Sequence, residues 1–352
     1  MEGILATDSS CEIHVIDINT TRNRFDHPRI TYHNGVIAKL FDVEAVVSAC
    51  KPRTIFHVAC PDSMLKLDLS VFQRVNVDGA NNLIAAAEKV GTVQAFVNTS
   101  TSSVIHDNIS DLVDADENLP VLQYPAQKRI YTLTKAEAEA AILAANRKYG
   151  DASMLTLSLR PATAFGERDT ICMGKIVATC RQGKGRFQIG PGNNQYDFIY
   201  IKNLVDVHLL AAYALIHAYG KPAPSMDMRV DGQAFNVTNN ERVLFWDFQR
   251  QISASVGLPV KPEDIKVIPK WVAMFMAIVS EYVTWIWSRG TKQPAVTLEA
   301  VRLTTIQRTL NGEKAVRLLG YHPKISMQEG LMRGGKWFIE EEKKSSALKK
   351  VV

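Results

Sequence analysis

The sequence predicts an α/β protein built on a doubly wound parallel sheet, with a smaller second part after residue 165. Three observations carry this. Short apolar runs alternate with helical stretches between residues 12 and 159, the rhythm of repeated strand–helix–strand units. Apolar residues make up 46% and charged residues 22% of the 352, an ordinary globular balance at a length of about two domains. Beyond 165 the rhythm loosens: Gly166, Gly174, Gly183, Gly185, Gly190 and Gly192 punctuate loops and short elements.

Residues 12–18, Glu-Ile-His-Val-Ile-Asp-Ile, read as a buried strand that delivers an acid, Asp17, near its end. Residues 42–50 form a short helix, and 54–59 the next apolar strand. In 71–90, Val71, Val75, Leu83, Ile84 and Ala87 recur at helical spacing, and Gly91 stops the helix. Residues 95–100 are a strand, 131–148 an Ala- and Glu-rich helix, and 154–159 a strand after it. In the second part, strands are expected at 197–201 and 234–237, and helices at 204–217 and 245–256. The predicted division is a cofactor part over 1–165, a substrate part over 166–340 interleaved with late strands of the main sheet, and a basic tail over 341–352.

Charge excludes some functions. There are 41 basic and 36 acidic residues, a net +5, too weak a bias for nucleic-acid binding yet compatible with an anionic membrane surface. The five cysteines, at 11, 50, 60, 172 and 180, are odd in number and lack CxxC spacing. Neither a disulfide framework nor a metal site is expected, and a reducing compartment fits. Residues 1–10 have no basic start and no apolar run, so no secretory leader is expected.

The stretch 268–287 stands apart. From Trp271 to Trp287 its one charge is Glu281, and Trp also occupies 285. It is short for a spanning helix, which needs about 20 apolar residues. Two readings remain: a buried core helix, or a helix lying in the headgroup zone with Trp at its ends.

The chemistry centres on Tyr131-Thr-Leu-Thr-Lys135. A Tyr and a Lys four residues apart share a helix face. A nearby ammonium favours the phenolate, and the expectation is a phenol below its ordinary pKa of about 10. Such a Tyr can take a proton from an alcohol while hydride leaves the carbon. Alone, the pair also fits an ordinary surface face. Upstream, however, the strand Phe96-Val-Asn ends in Thr99-Ser-Thr-Ser-Ser103. Hydroxyls at the carboxyl end of a parallel strand face the ligand crevice of a doubly wound sheet.

With these motifs the chain resembles the extended short-chain dehydrogenase/reductase family, a Rossmann-like fold, over about residues 12–335. Within it, the chain is similar to the 3β-hydroxysteroid dehydrogenase branch and its decarboxylating sterol-4α-carboxylate dehydrogenases. Further stretches that carry the likeness are His57-Val-Ala-Cys-Pro61, Val75-Asn-Val-Asp-Gly79, Arg160-Pro-Ala-Thr-Ala-Phe-Gly166, Tyr196-Asp-Phe-Ile-Tyr200 and Ala234-Phe-Asn-Val-Thr238. The resemblance implies that Tyr131 is the acid/base and that Lys135 is its partner and holds the nicotinamide ribose. It makes Thr101 the third catalytic group, with Ser100 next in line. Asp17 would pair with the adenosine ribose, which favours NAD over NADP. Ala59, Pro61, Asn76 and Pro161 resemble cofactor-lining positions, whereas His57 reads as a packed strand residue. The implied substrate is a sterol, or alternatively a terpenoid alcohol. The implied place is the cytosolic face of the endoplasmic reticulum membrane, and the implied assembly a homodimer. Lys349 and Lys350 near the chain end match a dilysine retrieval pattern, which a basic tail also produces by chance.

One departure is large. The family's first strand and its Gly-x-x-Gly-x-x-Gly turn, which brings a pyrophosphate to a helix N-terminus, do not occur in this sequence. Gly3 is the only glycine before Gly35. The missing strand is central, so its loss should leave two strands with unpaired edges inside the sheet. The favoured expectation is a natural chain longer by about 20 residues at its start; the alternative is a shortened homologue that does not catalyse. A smaller departure is His33-Asn-Gly-Val36, where the family has an acid after the glycine.

Overall fold

The computed structural model describes residues 1–8, 10–21, 24–62, 68–289, 291–292, 294 and 296–351, the last five without their side chains. Lys349 and Lys350 of the dilysine pattern therefore have side chains outside the described residues.

Six parallel strands form the frame. They are β1 (Ile13–Asp17), β2 (Ile30–Asn34), β3 (Thr54–His57), β4 (Ala95–Thr99), β6 (Leu155–Pro161) and β11 (Gln233–Val237). The last four make one sheet in the order β11-β6-β4-β3, and β1 pairs only with β2. Among the described residues no strand bridges β1 and β3. The frame is thus two sheets, two strands and four, with unpaired edges where the sequence predicted them.

Helices cover both faces. On one side α2 (Leu40–Cys50), α4 (Gly79–Val90) and α5 (Ile130–Ala144) bury Val43, Val47, Leu83, Ala87 and Ile142 against Ile55 and Phe96. On the other, α7 (Ile201–Ala218) and α11 (Glu313–Leu319) cover Val97, Leu157, Leu159 and Phe235. Strands buried on both faces need continuous apolar runs, and Leu155, Leu157 and Leu159 are fully buried. The short α1 (Glu2–Thr7) lies on α7, where a Cβ at Gly3 would come within 2.9 Å of Val205.

The stretch expected as one helix over 71–90 is a turn of α3 (Leu69–Phe72), a π-helical segment over Gln73–Asp78, and α4. The wider turn shifts the helical phase, and Asn76 ends up 1% exposed. At its far end α4 stops at Gly91, whose φ of +67° is readily adopted only without a Cβ.

A second core, half of it aromatic, lies beyond this frame. Strands β7 (Thr163–Phe165) and β10 (Phe198–Tyr200) pair, as do β8 (Phe187–Ile189) and β13 (Lys266–Ile268). The strand expected at 197–201 is β10, which ends at Tyr200 where α7 begins, and β9 (Gln195–Tyr196) lies just before it. A second four-stranded sheet runs β12 (Val243–Leu244), β9, β14 (Arg308–Leu310), β5 (Leu112–Ala115), so a late strand lies beside an early one. Phe198 stacks on Phe248 of α8 (Phe245–Ser255) at 3.6 Å between centroids. Around them pack Met173 and Val177 of α6 (Met173–Arg181) and Met327 and Leu331 of α12 (Met327–Val351).

Helix α9 (Lys270–Ser288) settles one of the two readings of 268–287. It is not a core helix. Only Ala273 and Ala277 are buried, against Val301 of α10 (Leu298–Leu303). Glu281, the next residue at that four-residue spacing, accepts the Leu298 N–H at 2.8 Å, so its one acid is turned to the protein. Outward stand Trp271 (75% exposed), Phe275, Tyr282, Trp285 and Trp287 (80% exposed).

Candidate active site

The site is built where β4 ends and α5 begins. Gln127 sets the start of the helix: its Oε1 accepts the N–H of Lys128 and of Arg129, and its Nε2 donates to the His106 carbonyl. Tyr131 falls in the first turn, and Lys135, Glu139 and Ile142 follow on the same face at spacings of four, four and three. Glu139 pairs with Arg160 of β6, whose Nε lies 3.0 and 3.1 Å from its two oxygens. That ion pair is buried at both ends and fixes the face of α5 that carries Tyr131 and Lys135.

Lys135 Nζ donates to the Thr99 carbonyl at 2.5 Å, so the ammonium is held at the carboxyl end of β4. The Tyr131 hydroxyl bonds to the Thr101 hydroxyl. The ring is framed by Phe72, edge-on at 6.3 Å, and by the Arg129 guanidinium 5.5 Å from its centroid. Thr101 also accepts the Ser103 N–H at 3.2 Å. Thr99 sends its hydroxyl elsewhere, to His208 Nε2 at 2.7 Å. Ser100 Oγ is buried without a partner among the described residues. Of the hydroxyl run, therefore, Thr101 is the one joined to Tyr131.

Electrostatics depart from the expectation. Burial pushes the Tyr131 phenol up to about 12, the Cys60 thiol beside it adds to the rise, and the Thr101 hydrogen bond only partly opposes it. The phenol is not lowered, because desolvation outweighs the charges around it and the Lys135 ammonium is aimed at a carbonyl. Burial lowers Lys135 as well, against the opposing pull of Cys60 and Glu139. His57 is 2% exposed, packs edge-on to Phe96 at 6.3 Å, and is depressed to about 3 by burial and by the Lys135 charge. It is a packed strand residue.

The expected cofactor-lining residues divide between the two sheets. Asp17 ends β1, exposed, with its Oδ1 accepting the Asn19 N–H at 2.8 Å. Ala59 and Pro61 follow β3, Asn76 donates to Thr134 Oγ1 at 3.0 Å, and Pro161 ends β6, half-buried. The polar atoms left open around Lys135, Ser100 Oγ and His57 Nε2, suit a ligand rich in hydroxyls and amides. Both ends of a nicotinamide dinucleotide thus have fitting residues, whereas this sequence has no glycine turn for the pyrophosphate between them.

Sequence reasoning missed Arg308. Its Nη2 donates to Ser103 Oγ at 2.8 Å and Ser102 Oγ at 3.3 Å, directly after Thr101. Only the long-range pairing of β14 with β5 and β9 brings it there, and no local motif announces it.

The profile of the 3-beta hydroxysteroid dehydrogenase/isomerase family matches residues 1–267. A sterol-4-alpha-carboxylate 3-dehydrogenase, decarboxylating, of Schizosaccharomyces pombe is 34% identical over 317 residues, covering 90% of this chain and 86% of that protein. The human protein of the same description is 30% identical over 322 residues, 91% of this chain and 80% of its own. A 3beta-hydroxysteroid-dehydrogenase/decarboxylase of Arabidopsis thaliana is 36% identical over 280 residues, 79% of this chain, which spans only 60% of that relative. Among solved structures, a UDP-glucose 4-epimerase from Thermotoga maritima superposes with a TM-score of 0.68 at 18% identity, covering 97% of this chain and 94% of its own. A dTDP-glucose 4,6-dehydratase from Bacillus anthracis, solved with NAD, scores 0.68 at 16% identity, covering 97% and 92%. These two likenesses show the fold.

Proposed function

Because the chain belongs to the 3-beta hydroxysteroid dehydrogenase/isomerase family, we propose that it oxidises the 3β-hydroxyl of a 4α-carboxysterol with NAD+, after which the 4α-carboxyl leaves as CO2. The observation that carries this is the cluster of half-buried Tyr131 with buried Lys135 and Thr101 at the carboxyl end of β4. In this reading Tyr131 takes the hydroxyl proton and Thr101 holds the reacting oxygen beside it. Lys135 binds the nicotinamide ribose, while the Arg129 and Arg308 charges oppose the high basicity of the phenol. Asp17 holds the adenosine ribose, with Ala59, Pro61, Asn76 and Pro161 lining the space between, and Ser100 is the reserve hydroxyl. Bound NAD+ would accept the hydride. The product is a β-keto acid: its C4–carboxyl bond breaks, CO2 departs, and the electron pair enters the new ketone as an enolate. The proton Tyr131 has taken is then available to that enolate.

The substrate is large and apolar, and α9 provides a place to meet it. With Glu281 turned inward, the exposed side of α9 is uncharged from Trp271 to Trp287. The reading places α9 on the cytosolic face of the endoplasmic reticulum membrane, peripheral or monotopic, and pairs two copies as a homodimer. The test is turnover of a 4α-carboxysterol with NAD+ in detergent or vesicles. NADH and a decarboxylated 3-ketone are expected, and neither forming would overturn the assignment.

A further inference from the structure

Arg308 is a half-buried guanidinium whose partners are all hydroxyls. Its Nη2 holds Ser103 and Ser102, and it also reaches the Tyr196 hydroxyl. Among the described residues no carboxylate pairs with it. The acids of its surroundings are committed: Asp197 accepts the Leu310 N–H at 2.7 Å and faces Arg242, and Asp111 accepts the Gln307 N–H at 2.9 Å. A guanidinium out of bulk water ordinarily meets a carboxylate or phosphate in a two-pronged bond, and leaving it without one is costly.

Its position is the second observation. The Thr101–Ser103 turn links two functional ends. Thr101 bonds Tyr131 at one end, and Ser103 bonds Arg308 at the other, with the Ser103 N–H on Thr101 Oγ1 between them. In a 4α-carboxysterol the reacting hydroxyl and the carboxylate sit on adjacent carbons. A group that reads the carboxylate must therefore stand beside the group that takes the hydroxyl proton. We propose that Arg308 is the specificity residue of this site, binding the substrate carboxylate while Tyr131 and Thr101 hold the neighbouring hydroxyl. This rests on the sterol reading above and deepens it. Arg308 also separates substrates: a 3β-hydroxysterol without the acid would leave the guanidinium unpaired and lose affinity for that reason.

The probe is a 4α-carboxysterol and its uncharged methyl ester, titrated by quenching of tryptophan fluorescence. Wild-type protein should bind the acid about 10- to 100-fold tighter than the ester, the range for a hydrogen-bonded charge pair. Arg308→Gln should abolish that preference and leave ester binding nearly unchanged, and Arg308→Lys should keep part of it. A wild type without preference overturns the proposal. So does an Arg308→Gln variant that weakens acid and ester equally, the mark of a strut for the 102–103 turn. If Arg308→Gln does not fold, the wild-type ratio and the Arg308→Lys ratio decide. A wild type that prefers the acid yet produces no NADH sinks the reaction and leaves Arg308 standing.

Discussion

At the scale of single residues, the arrangement divides proton chemistry from stability. Tyr131→Phe keeps the ring packed between Phe72 and Arg129 and removes only the hydroxyl. It should lower kcat by about 10²- to 10⁴-fold with cofactor binding retained, measured by steady-state kinetics beside an NAD+ titration. His57 makes a different prediction. It ionises near 6.5 in the unfolded chain and near 3 when folded, so the unfolded state binds more protons between those values. The stability it contributes is complete above about pH 6.5 and drains as the pH falls toward 3, at up to about 1.4 kcal/mol per pH unit. His106 and His208 are also depressed by burial and add to the slope. Urea melts from pH 7 to pH 4 should show the fall, shallower in His57→Asn; equal slopes would show that His57 is not buried neutral. The Tyr131–Lys135 pairing could be read from sequence because four-residue spacing is a local property of a helix. The upward shift of the phenol could not, since it comes from burial by distant segments. Arg308 escaped for the same reason, its neighbours being set by a pairing of strands far apart in the chain.

At the scale of elements, sequence located most of the frame to within a few residues, because buried parallel strands are continuous apolar runs and Gly91 marks a helix end. It could not foresee the π-helical segment at Gln73–Asp78, whose composition is that of any helix. Nor could it choose between core and surface for α9, because a helix apolar all round has no polar face to orient it. The structure decides through small residues: Ala273, Ala277 and inward Glu281 form one narrow seam on α10, flanked by Met274 and Ser280, and the large aromatic side chains face out. Replacing Phe275, Trp285 and Trp287 together by Ser should release the protein from vesicles in a flotation assay, while turnover in detergent stays within about two-fold of wild type. Unchanged flotation would assign the exposed face another role. The three side chains touch none of the buried cores, so surface substitutions of this kind cost little stability.

At the scale of the whole molecule, the four-stranded sheet is covered by helices on both faces, and the β1–β2 pair stands apart from it. Its strands have mostly half-buried or exposed residues, whereas β4 and β6 are buried almost throughout. Native-state hydrogen exchange should therefore show β1 and β2 opening well below the global unfolding free energy, with β4 and β6 exchanging only on global unfolding. Equal protection across all six strands would contradict this. The sequence foretold the unpaired edges, since a missing central strand is a matter of counting; how firmly each half stands alone depends on side-chain packing, which counting does not reach. In the proposed reading the nicotinamide-end residues sit on the larger half and Asp17 on the smaller one. A dinucleotide whose two ends grip sheets joined by a shared side-chain core, not by strand pairing, acts as a strain gauge between them. Its affinity reports their spacing, and substitutions at the α2–α4 contact should register as changes in its dissociation constant.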